Sequence, residues 1–210
     1  MKLRLTTLAM IALLSACSRK GEFADGGVYV VRSACPQVAI PAATGDITLF
    51  DPVGQSDAAA IDVVAAITNV RATCTDDTSN VVSTASFDVI ANRRDSGTAR
   101  QVILPYFDVA MRGGNMVIAK RVGQVVLNFA AGSQRAQTSG QATIRVSRAA
   151  ATLPAEIQNQ LTRVRKAGDS DAAIDPMTDP TVRAAVTRAT FEQLIGFQLT
   201  AAQLQYNATR

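Results

Sequence analysis

Four groups of residues in this 210-residue chain are of types that do chemistry: cysteines at 17, 35 and 74, a run of aspartates at 169, 171, 175 and 179, two further aspartates at 88 and 108, and six of the ten aromatic residues. Histidine is absent from the whole sequence. That removes the Ser-His and Cys-His nucleophile systems and the commonest metal ligand together. The aspartate run invites a calcium loop, because carboxylates are hard oxygen ligands. Its spacing fails the EF-hand pattern: Ala173 stands at the fifth position, Ile174 replaces the glycine at the sixth, and Pro180 replaces the closing glutamate. A solvated linker with helix-capping Asp is the expectation, and neither a metal nor a cofactor is predicted. Asp88 and Asp108 could be drawn as a glycosidase-type carboxylate pair. Any β protein supplies such pairs, however, and these two are expected to face solvent or to meet Arg across strands. The three glutamates, at 22, 156 and 192, fall in a tether or in predicted helices, poor supports for a preorganised catalytic site. Tyr29, Tyr106, Tyr206, Phe87, Phe107 and Phe129 are expected to fill the core and sheet edges.

Cys17 has a different context. Lys2 and Arg4 precede an apolar run from Leu8 to Leu14 that is too short to span a bilayer, the layout of a signal peptide. Leu14, Ser15, Ala16 and Cys17 fill the four positions of a lipobox, and the segment resembles that of bacterial lipoproteins. The resemblance covers the first seventeen residues and gives an address, not an activity. It implies cleavage before Cys17, diacylation of its thiol and acylation of the new amino end. Each buried methylene contributes about 0.8 kcal/mol, so several chains hold a protein permanently at the membrane. Ser18, where many inner-membrane lipoproteins carry Asp, implies the periplasmic face of an outer membrane. Residues 17–27 then read as a short tether.

With Cys17 assigned to lipid, Cys35 and Cys74 remain as a pair in an oxidising compartment, and a disulfide is predicted. Closing that loop stabilises by roughly 4 kcal/mol on the chain-entropy model. Loss of residues 1–16 removes two of the 21 basic residues and none of the 17 acidic ones. The mature chain is therefore close to neutral with scattered arginines, and no nucleic-acid partner is expected.

The elements that must position these groups divide at about residue 150. From 28 to 150 the chain is rich in Val, Ile, Thr and Ala with period-2 stretches and recurrent turn residues. Seven strands are predicted, over 28–34, 46–50, 60–74, 81–94, 100–112, 116–129 and 141–148. The Gly113-Gly114 pair permits the positive φ of a turn between two long strands. An antiparallel two-sheet sandwich of immunoglobulin or fibronectin type fits the pattern, without the buried tryptophan of antibody domains, since the chain has none. From 151 to 210 the signal turns helical. Leu153, Ile157, Leu161 and Val164 form one stripe, Asp179-Pro180 starts a second helix running through TVRAAVTRATFEQLIG, and Thr200 with Gln203 forms a capping box for a third.

The combination predicts a lipid-anchored, non-enzymatic envelope protein acting as a structural or assembly subunit. The C-terminal helices would dock through Ile157, Leu161 and Val164 on an envelope partner or, equally, on the chain's own sandwich. A small-molecule or lipid-binding module is the alternative, and a carboxylate-dependent glycan hydrolase the more distant one.

Overall fold

The computed structural model describes residues 33–163, 165 and 168–209; Cys17, Tyr29 and Val164 lie outside them. Residues 162–175 fall in a unit separate from the remaining described residues, and there Arg163 and Arg165 both pair with Asp171.

The other described residues, 33–161 and 176–209, form two four-stranded sheets. The strands are β1 (Gln37–Ala39), β2 (Asp46–Phe50), β3 (Ile61–Asp76), β4 (Asn80–Arg93), β5 (Arg100–Arg112), β6 (Met116–Phe129), β7 (Arg135–Ser147) and β8 (Phe191–Phe197). One sheet runs β1-β8-β5-β6 and the other β2-β3-β4-β7. All pairings are antiparallel except β1 with β8. Period-2 alternation delivers one face of each sheet to a shared core: Ile47, Val63, Ala65, Phe87 and Val89 from one, Leu104, Val125, Leu127, Ile195 and Phe197 from the other. Two glycines set how closely the layers pack. Phe87 lies over its cross-strand partner Gly140 and Tyr106 over Gly123. A Cβ on either glycine would fall within 2.4 or 2.5 Å of the ring opposite. The two rings then meet edge to face between the sheets, centroids 5.1 Å apart.

A mainly β protein with two sheets and C-terminal helices is thus as expected, and β2, β5 and β6 have the predicted limits. Four expectations need correction. Eight strands are described instead of seven. Of the predicted strand over 28–34, residues 28–32 lie outside the described residues and Ser33 and Ala34 are not in a strand; among the described residues pairing begins at Gln37. The strand order is not that of an immunoglobulin constant domain, whose four-stranded sheet runs A-B-E-D; here the consecutive strands β2, β3 and β4 lie side by side. The largest difference is in the tail. FEQLIGF is not the end of a helix but β8, inserted between β1 and β5 in the middle of its sheet. Phe191, Gln193, Ile195 and Phe197 alternate inward and are all buried. The C-terminal segment is therefore not a helical appendage, since it supplies a central strand.

Four α-helices occur among the described residues: α1 (Arg148–Ala151), α2 (Ala155–Thr162), α3 (Pro180–Ala189) and α4 (Ala201–Thr209). Asp179 caps α3 by accepting from the Thr181 amide at 2.7 Å. In α4 the capping box is present, Thr200 N–H donating to Gln203 Oε1 at 2.9 Å and Gln203 N–H to Thr200 Oγ1 at 3.2 Å. Asn207 Nδ2 ties this helix to the carbonyls of Ala43 and Asp46.

Candidate interaction site at the open edge

The two ends of the double sheet are built differently. At one end, the period-2 alternation of Val89, Ala91 and Arg93 points the last of these inward, where it is 5% exposed. Its guanidinium donates to four carbonyls, Ser133 and Thr98 at 2.7 Å, Ala130 at 3.0 Å and Gly97 at 3.2 Å, and lies over the Phe129 ring. One cation thus holds the β4–β5 and β6–β7 connections together, and its burial is tolerated because its donors are used. Beside it Asp62 of β3 receives a two-pronged bond from Arg100 of β5, at 2.7 and 2.5 Å. That bond, with the positive charge behind it, holds the Asp62 carboxyl below its ordinary value.

Toward the other end the structure opens along one side. Here β6 and β7 are the outermost strands of their sheets, and the two edges differ. The outward face of β7 carries Arg135, Gln137, Ser139, Gln141, Thr143 and Arg145. Two of its carbonyls are covered by side chains from the opposite sheet: Tyr106 Oη donates to Gln141 at 2.9 Å and Arg121 reaches Thr143 at 3.4 Å. Polar side chains and covered carbonyls blunt an edge against further pairing. The edge of β6 is not blunted this way. Among the described residues, the backbone of 116–128 bonds to no element except β5. Met116, Val117, Ile118 and Val122 are 51–60% exposed, with Val126 and Ile103 beside them. Lys120, the charge that could guard this edge, is drawn back over the Phe107 ring at 5.6 Å.

Between the two edges lies a groove of about 240 Å³ with an apolar floor of Ala110, Ile144, Val146 and Phe191. Asp108 closes its inner end. Asp108 Oδ1 accepts from Gln193 Nε2 at 2.9 Å, and Gln193 Oε1 accepts from Ser83 Oγ at 2.8 Å. All three are buried. No cation lies within ion-pairing distance of Asp108 among the described residues, so burial pushes its carboxyl above the ordinary value, only partly offset by the Gln193 bond and the charge of Arg121. A lone carboxyl with one amide donor can accept a hydrogen bond or hold a proton; it does not make a metal centre.

The disulfide between Cys35 and Cys74 is formed and packs with Phe191, Val81 and Val146 at the groove end. Asp88 and Asp108 are not brought together. Asp88 points out of its sheet and is held by Asn69 and Ser139, which keep it below the ordinary carboxylate range, whereas Asp108 points into the core. Phe87 and Phe129 are core residues as expected, and Tyr206 packs edge-on against Phe50 at 5.1 Å. Ile157 is buried and Leu161 partly so, packed with Val182 and Ala185 of α3. The α2 stripe offered to a partner is thus occupied by the chain's own next helix, because β8 draws that helix back to the sheets. Sequence reasoning missed Arg93, Gln193 and the β6 edge. The alternation Val89-Ala91-Arg93 could have placed the first and Phe191-Gln193-Ile195 the second; no signal in the sequence makes β6 an outermost strand. No helix among the described residues is long and apolar enough to cross a membrane. Comparison with known protein families, with curated proteins and with solved structures finds no match to this chain.

Proposed function

We propose that this is a lipid-anchored, non-enzymatic protein of the bacterial envelope, an interaction or assembly subunit at the periplasmic face of the outer membrane, with β6 as its docking surface. One observation carries the docking role: five of the exposed large apolar residues, Met116, Val117, Ile118, Val122 and Val126, fall on one edge strand. Exposed apolar residues gathered in this way mark interaction surfaces, and an open edge adds backbone hydrogen bonds to them. The lipobox residues Leu14 to Cys17 support the address, and a disulfide suits an oxidising compartment. The test is crosslinking in intact cells from a photoreactive residue at 122, beside one at 90 on the outward face of β4. Products specific to position 122 are expected; equal products from both positions, or none, would refute the docking role. Cys17→Ser is expected to leave an unprocessed precursor, and membrane-held product of mature size from that variant would remove the anchor.

The groove favours a second reading, a binding module for a small apolar molecule that donates a hydrogen bond to Asp108. Ligand-dependent melting that is lost in Ala110→Phe, which fills the floor, is the outcome that supports it.

A further inference from the structure

We infer that the occupant of the β6 edge is the β6 edge of a second copy, giving a two-fold dimer in which the β1-β8-β5-β6 sheet continues into its twin as eight strands. The inference rests on the reading of β6 as an interaction surface and names its partner. A two-fold axis normal to a sheet keeps inward residues facing inward, so the strands can cross only in registers centred on a residue, with residues equally far from the centre opposite one another.

The side chains of β6 select among those registers. Centring on Lys120 or Arg121 sets a cation against its own image, which is unfavourable for directly opposed pairs. Centring on Gly123 sets Lys120 against Val126 and Ile118 against Asn128. Centring on Gln124 leaves Met116, Val117 and Ile118 uncovered. Centring on Val122 overlaps residues 119–125 in regular register, with the bulge at Ile118, which has no β5 partner, just beyond at either end. Val122 then meets Val122 and Lys120 meets Gln124, while Val126 lies beside the bulge at Ile118. On the inner face Arg121 meets Gly123, whose space is taken by the Tyr106 ring, so the guanidinium stays on the Thr143 carbonyl. Ile103, the β5 neighbour of Val126, extends the apolar band. The sequence of β6 is thus complementary to itself reversed about one residue, and the strand is unpaired along that edge. The polar, capped edge of β7 on the same side of the molecule directs a second strand to β6.

The test uses the full chain extracted from membranes in a non-ionic detergent. Sedimentation velocity over a hundredfold range of concentration is expected to show monomer passing to dimer, and Val122→Lys to weaken association at least tenfold, while Ile90→Lys, on the outward face of β4, leaves it unchanged. As a second measurement, Val122→Cys is expected to give a covalent dimer on mild oxidation, above any background in the parent chain, and Val126→Cys, which lies beside Ile118, is not. A chain that stays monomeric, or a dimer that Val126→Cys crosslinks and Val122→Cys does not, overturns the pairing. The docking role is scored separately. If the monomer still crosslinks in cells from position 122 to a different protein, β6 is an interaction surface without self-pairing; if it crosslinks to nothing there, both readings fall.

Discussion

The two buried aspartates of the double sheet, Asp62 and Asp108, sit 4–6% exposed, yet their surroundings push them in opposite directions. Asp62 lies at the end where Arg93 and Arg100 use nearly every polar atom, and it is ionised in a fitted two-pronged bond. Asp108 lies in the groove behind an unpaired edge and receives one amide N–H. The closed end spends its charge on holding loops; the open side keeps a carboxyl, an apolar floor and a bare strand. Stability and availability for interaction are thus laid at different places of one small fold, which is the arrangement expected when low-stability or uncovered regions carry function.

The largest expected effect tests whether the open side needs a covalent tie to make up for its missing neighbours. Cys35 and Cys74 close a loop of 39 residues, and Cys35→Ser with Cys74→Ser is expected to lower stability by roughly 4 kcal/mol, read as a shift of the denaturant midpoint. A loss no larger than that from a surface change would mean that the groove end is held by Phe191 and Val81 alone. Next comes the closed end. Arg93→Met keeps much of the stem but strands four carbonyls, and about 3 kcal/mol should be lost, with faster amide exchange in residues 94–99 and 130–134. Gly140→Ala tests the seam between the two ends. Its Cβ would sit 2.4 Å from the Phe87 ring, so the ring must move against Tyr106 at a cost of about 1–3 kcal/mol.

How far these features could be read from the sequence depends on whether the deciding contacts are local. The RGGN turn is local, and it places β5 and β6 to the residue. The disulfide followed from subtraction, once Cys17 was assigned elsewhere. The caps at Asp179 and Thr200 were legible because each spans three or four positions. In contrast, β8 was hidden. TVRAAVTRAT leads straight into FEQLIGF, and Glu, Gln and Leu are good helix formers, so propensity continued the helix past Thr190. Only pairing with β5, some eighty residues back in the chain, makes it a strand. The cost of that error was the whole site: without β8 there is no buried Gln193, no reason for α3 to pack on α2, and no strand order from which to see β6 at the edge.

The smallest expected effects belong to the aspartates, and their signs differ. The folded-state pKa of Asp62 lies below its unfolded value, so its bond to Arg100 contributes stability that is present above the unfolded value near 3.8 and is lost as the pH falls through the folded value. Asp62→Asn should therefore weaken the protein at neutral pH by about 1–2 kcal/mol and flatten the acid limb of its stability curve. Asp108 runs the other way. Its folded-state pKa is raised above the ordinary value near 3.8, so between those two values the native state binds more protons than the unfolded one, and stability falls as pH rises through that window. The burial of Asp108 is thus a cost carried at neutral pH. Asp108→Asn keeps an oxygen to accept from Gln193 and removes the charge; it should raise the melting temperature at neutral pH, with the gain fading to nothing below about pH 3.8, the unfolded value. A variant that loses stability at every pH would mean that the carboxylate is satisfied in place by groove water or Arg121, and the contrast between the two aspartates would reduce to one of position. A gain of the expected sign would identify Asp108 as a carboxyl kept at the floor of the groove against the interest of the fold.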